Sequence, residues 1–197
     1  MNHKFERLLS KNSQLLTHGH DFVEIGGLRW ATCNVGAEKP TDTGLYFQWG
    51  DTQGYAAEEI LNGTFENNSQ IAIKTPQDPV RANWGGAWRL PTANDFISLT
   101  KATYAHWTDN YEGSGVTGMI LTNKKNHKDK LFFPALGWGC LNTTIHNMRN
   151  GGRYWVMSNP RSIHEYVGNM HFYCYGKGIW FTCIQRQFAC QIRGVIG

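Results

Sequence analysis

No stretch of the 197 residues reaches the roughly 18 consecutive apolar residues that a membrane-spanning helix needs, so no membrane insertion is expected. The first twenty residues, MNHKFERLLSKNSQLLTHGH, hold no apolar run of signal-peptide length and no lipid-attachment cysteine, which argues against an exported lipoprotein. Charge is scarce: Asp, Glu, Lys and Arg make up only 17% of the chain, and no acid occurs after Glu165. The five cysteines, at 33, 140, 174, 183 and 190, are odd in number and lack CxxC spacing. That excludes a zinc ribbon and a complete disulfide framework, and leaves thiols with at most one pair. Long aliphatic runs and internal repeats are missing as well.

What is present is aromatic and turn-rich. Phe, Trp and Tyr reach 13% and glycine contributes 22 residues, a profile of short elements joined by tight turns. Eight tryptophans, each worth roughly 2 to 3 kcal/mol when buried, supply the core that aliphatic residues do not. The net charge of +4 has one local concentration, at Lys124, Lys125, Lys128 and Lys130. Its neighbours Asn123, Asn126 and Asp129 are turn formers, so it reads as a solvated turn, and no nucleic-acid partner is expected.

Along the chain, Phe5, Leu8, Leu9 and Leu15 fall near helical spacing, which predicts a short N-terminal helical segment within residues 1 to 20. Thirteen residues (4 to 16) are too few to stand alone as a coiled coil, and the segment is expected to dock onto the domain, a partner or a second copy. Phe22 to Trp30 reads as a hairpin turning at Gly26-Gly27, and residues 31 to 51 as ordered loop with buried rings. Residues 51 to 78 are polar and predict an exposed excursion. Thr92 with Asp95 three residues on predicts a capped helix with Phe96, Ile97 and Leu99 on its buried face. Strands are expected at 116 to 121 and at 130 to 133, with Pro134 ending the second, and as short pieces over 150 to 193.

Three stretches read together: LRWATCNVGAEKPTDTGLYFQWGDT from Leu28, RANWGGAWRLPT from Arg81, and RQFACQIRGV from Arg186. In these the chain resembles the Fibrobacter-type major paralogous domain family, from about Phe22 to the C terminus. The resemblance implies an α+β, C-type-lectin-like fold over residues 21 to 197, with few helices, a small twisted antiparallel sheet and long ordered loops. It also implies that Trp30, Trp49, Trp84, Trp88 and Trp155 are core, and that Arg89 and Arg193 pair with a carboxylate such as Asp51 or Asp95. Asn34 would fix its loop.

The chain departs from that family near its end. YWVM stands at Tyr154 to Met157 where the family has YWSS, and three cysteines and six aromatic residues crowd positions 171 to 190. This pattern resembles the variable proteins of diversity-generating retroelements, whose C-terminal region is randomised at template adenines. An asparagine codon treated in that way yields Tyr, His, Cys, Phe, Ile, Ser or Arg, but not Trp or Gln. On that basis Trp180, Gln185, Gln187 and Gln191 are fixed framework.

The candidate ligand-binding residues accordingly lie in a variable region of about 153 to 194. Met170 and Phe172 alternate with His171 and Tyr173, so the first pair is expected inward and the second outward, with Tyr175 continuing the exposed set. Phe181 with Cys183, and Phe188 with Cys190, extend the same reading to later strands. Arg153, Arg161, His164 and Tyr166 complete it. The expectation is one contiguous aromatic face that binds a bacterial surface protein or glycan. The carrier would be a phage or prophage tail, the lack of a leader favouring a virion part. The alternative is a host-encoded cell-surface or structural domain without diversification.

No catalytic residues, metal or cofactor are expected. Calcium-dependent sugar binding needs clustered hard oxygens, and Trp155 to Pro160 offers only Asn159. An oxidase of the formylglycine-generating kind would need two reactive thiols, for which Cys183 and Cys190 have only Arg186 near in sequence to lower their pKa. The histidines at 18, 20, 146 and 164 are scattered without metal-site spacing.

Overall fold

The expected first hairpin is present. Phe22–Ile25 (β1) and Leu28–Asn34 (β2) pair antiparallel around Gly26 and Gly27, whose φ values of 66° and 83° are those of a two-residue turn that only glycine enters freely. The computed structural model describes residues 17–62, 78–140, 144–157, 166–176 and 178–197. The predicted N-terminal helix, Arg161 and His164 lie outside the described residues.

Among the described residues the chain is α+β and dominated by strands, in four small antiparallel sheets with three short helices. The finishing strand Arg193–Ile196 (β13) pairs with β2, giving the order β1-β2-β13. A second sheet holds Thr103–Thr108 (β4), Gly118–Asn123 (β5) and Lys130–Pro134 (β6) in sequence order. The lysine-rich stretch is the turn between β5 and β6, held by Asn123 and Asn126 side chains accepting from the amides of Lys125 and Lys128. β6 takes in Pro134, which an outer strand of a sheet accommodates.

The third sheet has the order β3-β12-β7-β8, built from Phe47–Gln48 (β3), Ala189–Cys190 (β12), Trp138–Cys140 (β7) and Thr144–His146 (β8). The fourth has Tyr166–Tyr173 (β10) between Gly151–Trp155 (β9) and Trp180–Gln185 (β11).

The helices are Ala57–Leu61 (α1), Pro79–Trp84 (α2) and Ala93–Ala102 (α3). α3 is the helix expected from Thr92 and Asp95. The Thr92 hydroxyl accepts from the Asp95 amide at 3.2 Å and the Asp95 carboxylate accepts from the Thr92 amide at 2.7 Å. Arg89 donates to the same carboxylate at 2.6 Å, as the motif reading anticipated. α2 was not expected. Its signal is Asp78 before Pro79: the Asp78 carboxylate caps the amides of Val80 and Arg81, and proline suits the first helical position.

Aromatic rings build the core. Trp30 and Phe96 belong to one cluster with Tyr154, Met170 and Phe172, and Trp88 and Trp155 belong to a second with Phe47, Val167 and Ile192. Trp88 donates its indole N–H to the Thr17 carbonyl at 2.7 Å and Trp155 donates to the Phe47 carbonyl at 2.6 Å. Trp49 and Trp84 are only partly covered.

Arg193 departs from the expected carboxylate pairing. It is fully buried, and its guanidinium donates to Asn34 Oδ1 at 3.1 Å and to the carbonyls of Ala31 at 3.0 Å, Thr32, and Phe132 at 2.9 Å, with its flat face 4.7 Å from the Phe133 ring. Backbone carbonyls at a strand junction satisfy it in place of an acid. Asn34 is held in the same network, its amide donating to the Tyr154 hydroxyl.

Candidate ligand-binding surface

β10 sits between two strands, so both faces of its sheet are defined by register. Met170 and Phe172 are fully buried in the first core cluster, as the alternation predicts. His171 faces the other way, paired across to Arg153 on β9 and to Trp180 on β11. Tyr173 follows two residues later on the same face, opposite Gly151, and a Cβ at Gly151 would stand 2.6 Å from its ring. Glycine there lets the tyrosine lie down over its neighbour.

These side chains form one aromatic platform. Tyr173 and Tyr175 stack with centroids 5.3 Å apart and planes within 5°, and Tyr175 is 80% exposed. His171 stands 5.5 Å from Tyr173 and 6.1 Å from Trp180. A Cβ on Gly176 would come within 2.1 Å of the Trp180 indole, so the turn after β10 closes over that ring. Arg153 ties the platform down: it donates to Asn169 Oδ1 and to the Tyr173 hydroxyl, each at 3.0 Å, and lies 4.3 Å over Trp138, which in turn approaches His146 and Tyr173. Burial, and then the Arg153 charge, pull the His171 pKa down to about 4, so its imidazole is neutral at physiological pH.

The expected single face is in fact two. Phe181 lies across from Met170 and Cys183 across from Gly168, so both project from the opposite side of the sheet to His171, and Tyr166 joins them by strand parity. There Phe181 meets Phe96 edge-on, and with Cys183, Ala93 and Met157 it lines an open depression of about 330 Å³ beside the start of α3. Phe188 is half-buried against the second core cluster.

Cys190 is a correction. It is fully buried, because β12 runs between β3 and β7 and both of its residues are enclosed. Burial pushes its thiol pKa up, away from the thiolate that reactivity requires.

Trp180 and Trp138 are the members of the platform that the sequence reading left out, since Trp180 was assigned to fixed framework. Trp180 is 44% exposed. The signal was its spacing, since an aromatic residue just past a glycine turn from His171 can pair with it. Among the described residues no three His, Cys, Asp or Glu side chains gather as metal ligands, and no helix is long and apolar enough to cross a membrane. No family model, no curated protein and no solved structure matches the chain.

Proposed function

We propose that this chain is a ligand- or receptor-binding protein of C-type-lectin-like fold, whose contact surface is the His171 face of the β9-β10-β11 sheet. The carrying observation is the partly exposed aromatic set of His171, Tyr173 and Trp180 held on strands, with Tyr175 stacked on Tyr173 from the turn after β10 and the whole braced by Arg153. Tyrosine and tryptophan supply large rigid contact area with few rotamers to immobilise, so a few such side chains dominate affinity. Few helices, small antiparallel sheets and long loops are compatible with the lectin-like architecture implied by the resemblance. In this reading the protein binds rather than catalyses, and it is a phage or prophage tail tropism determinant displaying a diversified surface to a bacterial protein or glycan.

One observation favours the second reading, a host-encoded surface or structural domain without diversification. Cys190 is adenine-reachable yet fully buried, and Phe188 packs on the same core, so neither suits free variation.

Adsorption to susceptible cells tests the binding reading. A Tyr173→Ser/Tyr175→Ser variant should lose adsorption while chelation leaves the wild type unaffected. Loss on chelation alone, with the aromatic variant intact, would refute both the surface and its chemistry. A genomic neighbourhood holding a reverse transcriptase and a near-copy of the 3′ end separates the diversified reading from the alternative.

A further inference from the structure

Arg153 carries a permanent charge in a half-buried setting. Its partners, Asn169, the Tyr173 hydroxyl and the Trp138 ring, are all neutral, and its Nε is buried with no hydrogen-bond partner. Among the described residues, the groups in contact with it add no negative charge. His171 lies directly across from it, also with a buried, unpartnered Nδ1; Trp180 lies beyond; and no Asp or Glu occurs from Tyr166 to the C terminus. A partly desolvated cation among neutral partners is costly in the free protein, and that cost falls when an anion completes the site.

We propose that Arg153 is the anion-recognising centre of this surface and that the ligand is a sugar ring bearing a carboxylate, of the uronic-acid type. The inference rests on the binding-surface reading above and narrows it to a ligand class. A guanidinium presents five N–H donors in a planar fork; with one given to Asn169, one to Tyr173 and the Nε–H enclosed, the second N–H on each of Nη1 and Nη2 is left for the two oxygens of a carboxylate. Flat rings share the surface with the charge: Trp138 lies against the guanidinium, Tyr173 is bonded to it, and Trp180 stands one strand beyond His171. Tyr173 stacks on the largely exposed Tyr175, and Trp180 presents its indole next to His171. The C–H face of a pyranose packs on such rings while its hydroxyls reach the tyrosine oxygens. A phosphate shares the charge but has neither the apolar face nor the planar anion.

The test compares galactose with galacturonate, which differ only at C6, and with inorganic phosphate, on the full chain by saturation-transfer NMR and tryptophan fluorescence. Galacturonate should bind at least about tenfold more tightly than galactose and more tightly than phosphate, as a charge-assisted contact implies. The preference should vanish in Arg153→Gln and survive in part in Arg153→Lys, which keeps the charge without the fork. A thermal melt checks each fold; if Arg153→Gln does not fold, the wild-type selectivity and Arg153→Lys carry the test.

Equal binding of the two sugars overturns the inference. So do phosphate competing as well as galacturonate, no saturable galacturonate binding, tighter capture of a glutamate-rich peptide, or a preference that persists in Arg153→Gln. Loss of cell adsorption in Tyr173→Ser/Tyr175→Ser but not in Arg153→Gln refutes the carboxylate alone and leaves the surface standing. Unchanged adsorption in all of these variants refutes the surface itself.

Discussion

Trp180 and Phe181 are consecutive in β11 and look out from opposite sides of their sheet. Trp180 pairs with half-buried His171, whereas Phe181 pairs with fully buried Met170 and meets Phe96 with ring centroids 6.3 Å apart. Their substitutions should therefore separate. Trp180→Ser is expected to weaken adsorption with little change in Tm. Phe181→Ser should cost on the order of 1 kcal/mol of stability and leave adsorption in place. Paired melting and adsorption measurements decide it, and the reverse pattern would move the contact surface to the Phe181 side.

The platform should be separable from the core in the same way. Trp88→Ala removes a fully buried indole and its hydrogen bond to Thr17, and should cost about 3 to 5 kcal/mol in urea unfolding. Tyr173→Ser/Tyr175→Ser removes accessible rings and one hydrogen bond from Arg153, for an expected loss of about 1 to 2 kcal/mol. A double variant as unstable as Trp88→Ala would mark the tyrosines as structural.

Arg193→Met should be more damaging than an ordinary buried substitution. It strips donors from Asn34 and from three backbone carbonyls at once, and each acceptor left dry costs about 1 to 3 kcal/mol. Lysine cannot replace it, because a single ammonium does not span the separate acceptors that the fork reaches. Both variants should fail to give a cooperative melt at 37 °C, or melt far below the wild type by circular dichroism.

Acid should weaken the fold before the carboxylates protonate. His171 is held near pKa 4 by burial and by Arg153, whereas an unfolded histidine titrates near 6.5. Between those values the unfolded chain binds the proton and the folded chain does not, so this contribution is complete above about pH 6.5 and is lost as pH falls toward 4. Lower still, Asp95 acts in the same sense. Burial raises its pKa, but hydrogen bonds from Arg89 and Thr92 outweigh that and hold it below the usual range. Histidine NMR should show the His171 resonance titrating near pH 4, and moving up in Arg153→Gln.

Thiol labelling should follow burial. Cys174 and Cys183 are exposed and should react with a water-soluble reagent in the folded protein, whereas Cys190 should react only on unfolding. Mass spectrometry after native and denatured labelling reads this directly. Modified Cys190 in the native sample would contradict its place between β3 and β7.

The features legible in the sequence are those set by short-range signals. Thr92 with Asp95, the Gly26-Gly27 turn and the lysine-rich turn each state their structure within a few residues, and all three are present. The inward pair Met170 and Phe172 follows from period two within one strand. That period cannot be carried from β10 across to β11, so the expectation of Phe181 on the His171 face gives way to the register, which puts it with Met170. α2 was missed because six residues in a polar stretch carry no periodicity, and only the Asp78 cap and Pro79 announce it. Arg193 was read as needing an acid because a sequence cannot show that three carbonyls converge from strands 61 to 162 residues away.

The pairing of β13 with β2 also fixes when the fold can be completed. Residues 28–34 wait for residues 193–196 before their sheet and the Arg193 network can close. Contacts separated by nearly the whole chain make folding slow, and here they keep closure from happening while the ribosome still holds the last strand. A product cut short before Arg193 keeps the first hairpin, the capped α3 and the β9-β10-β11 platform but cannot seal the first sheet, so the cell's proteases should receive truncated copies as unfolded chains.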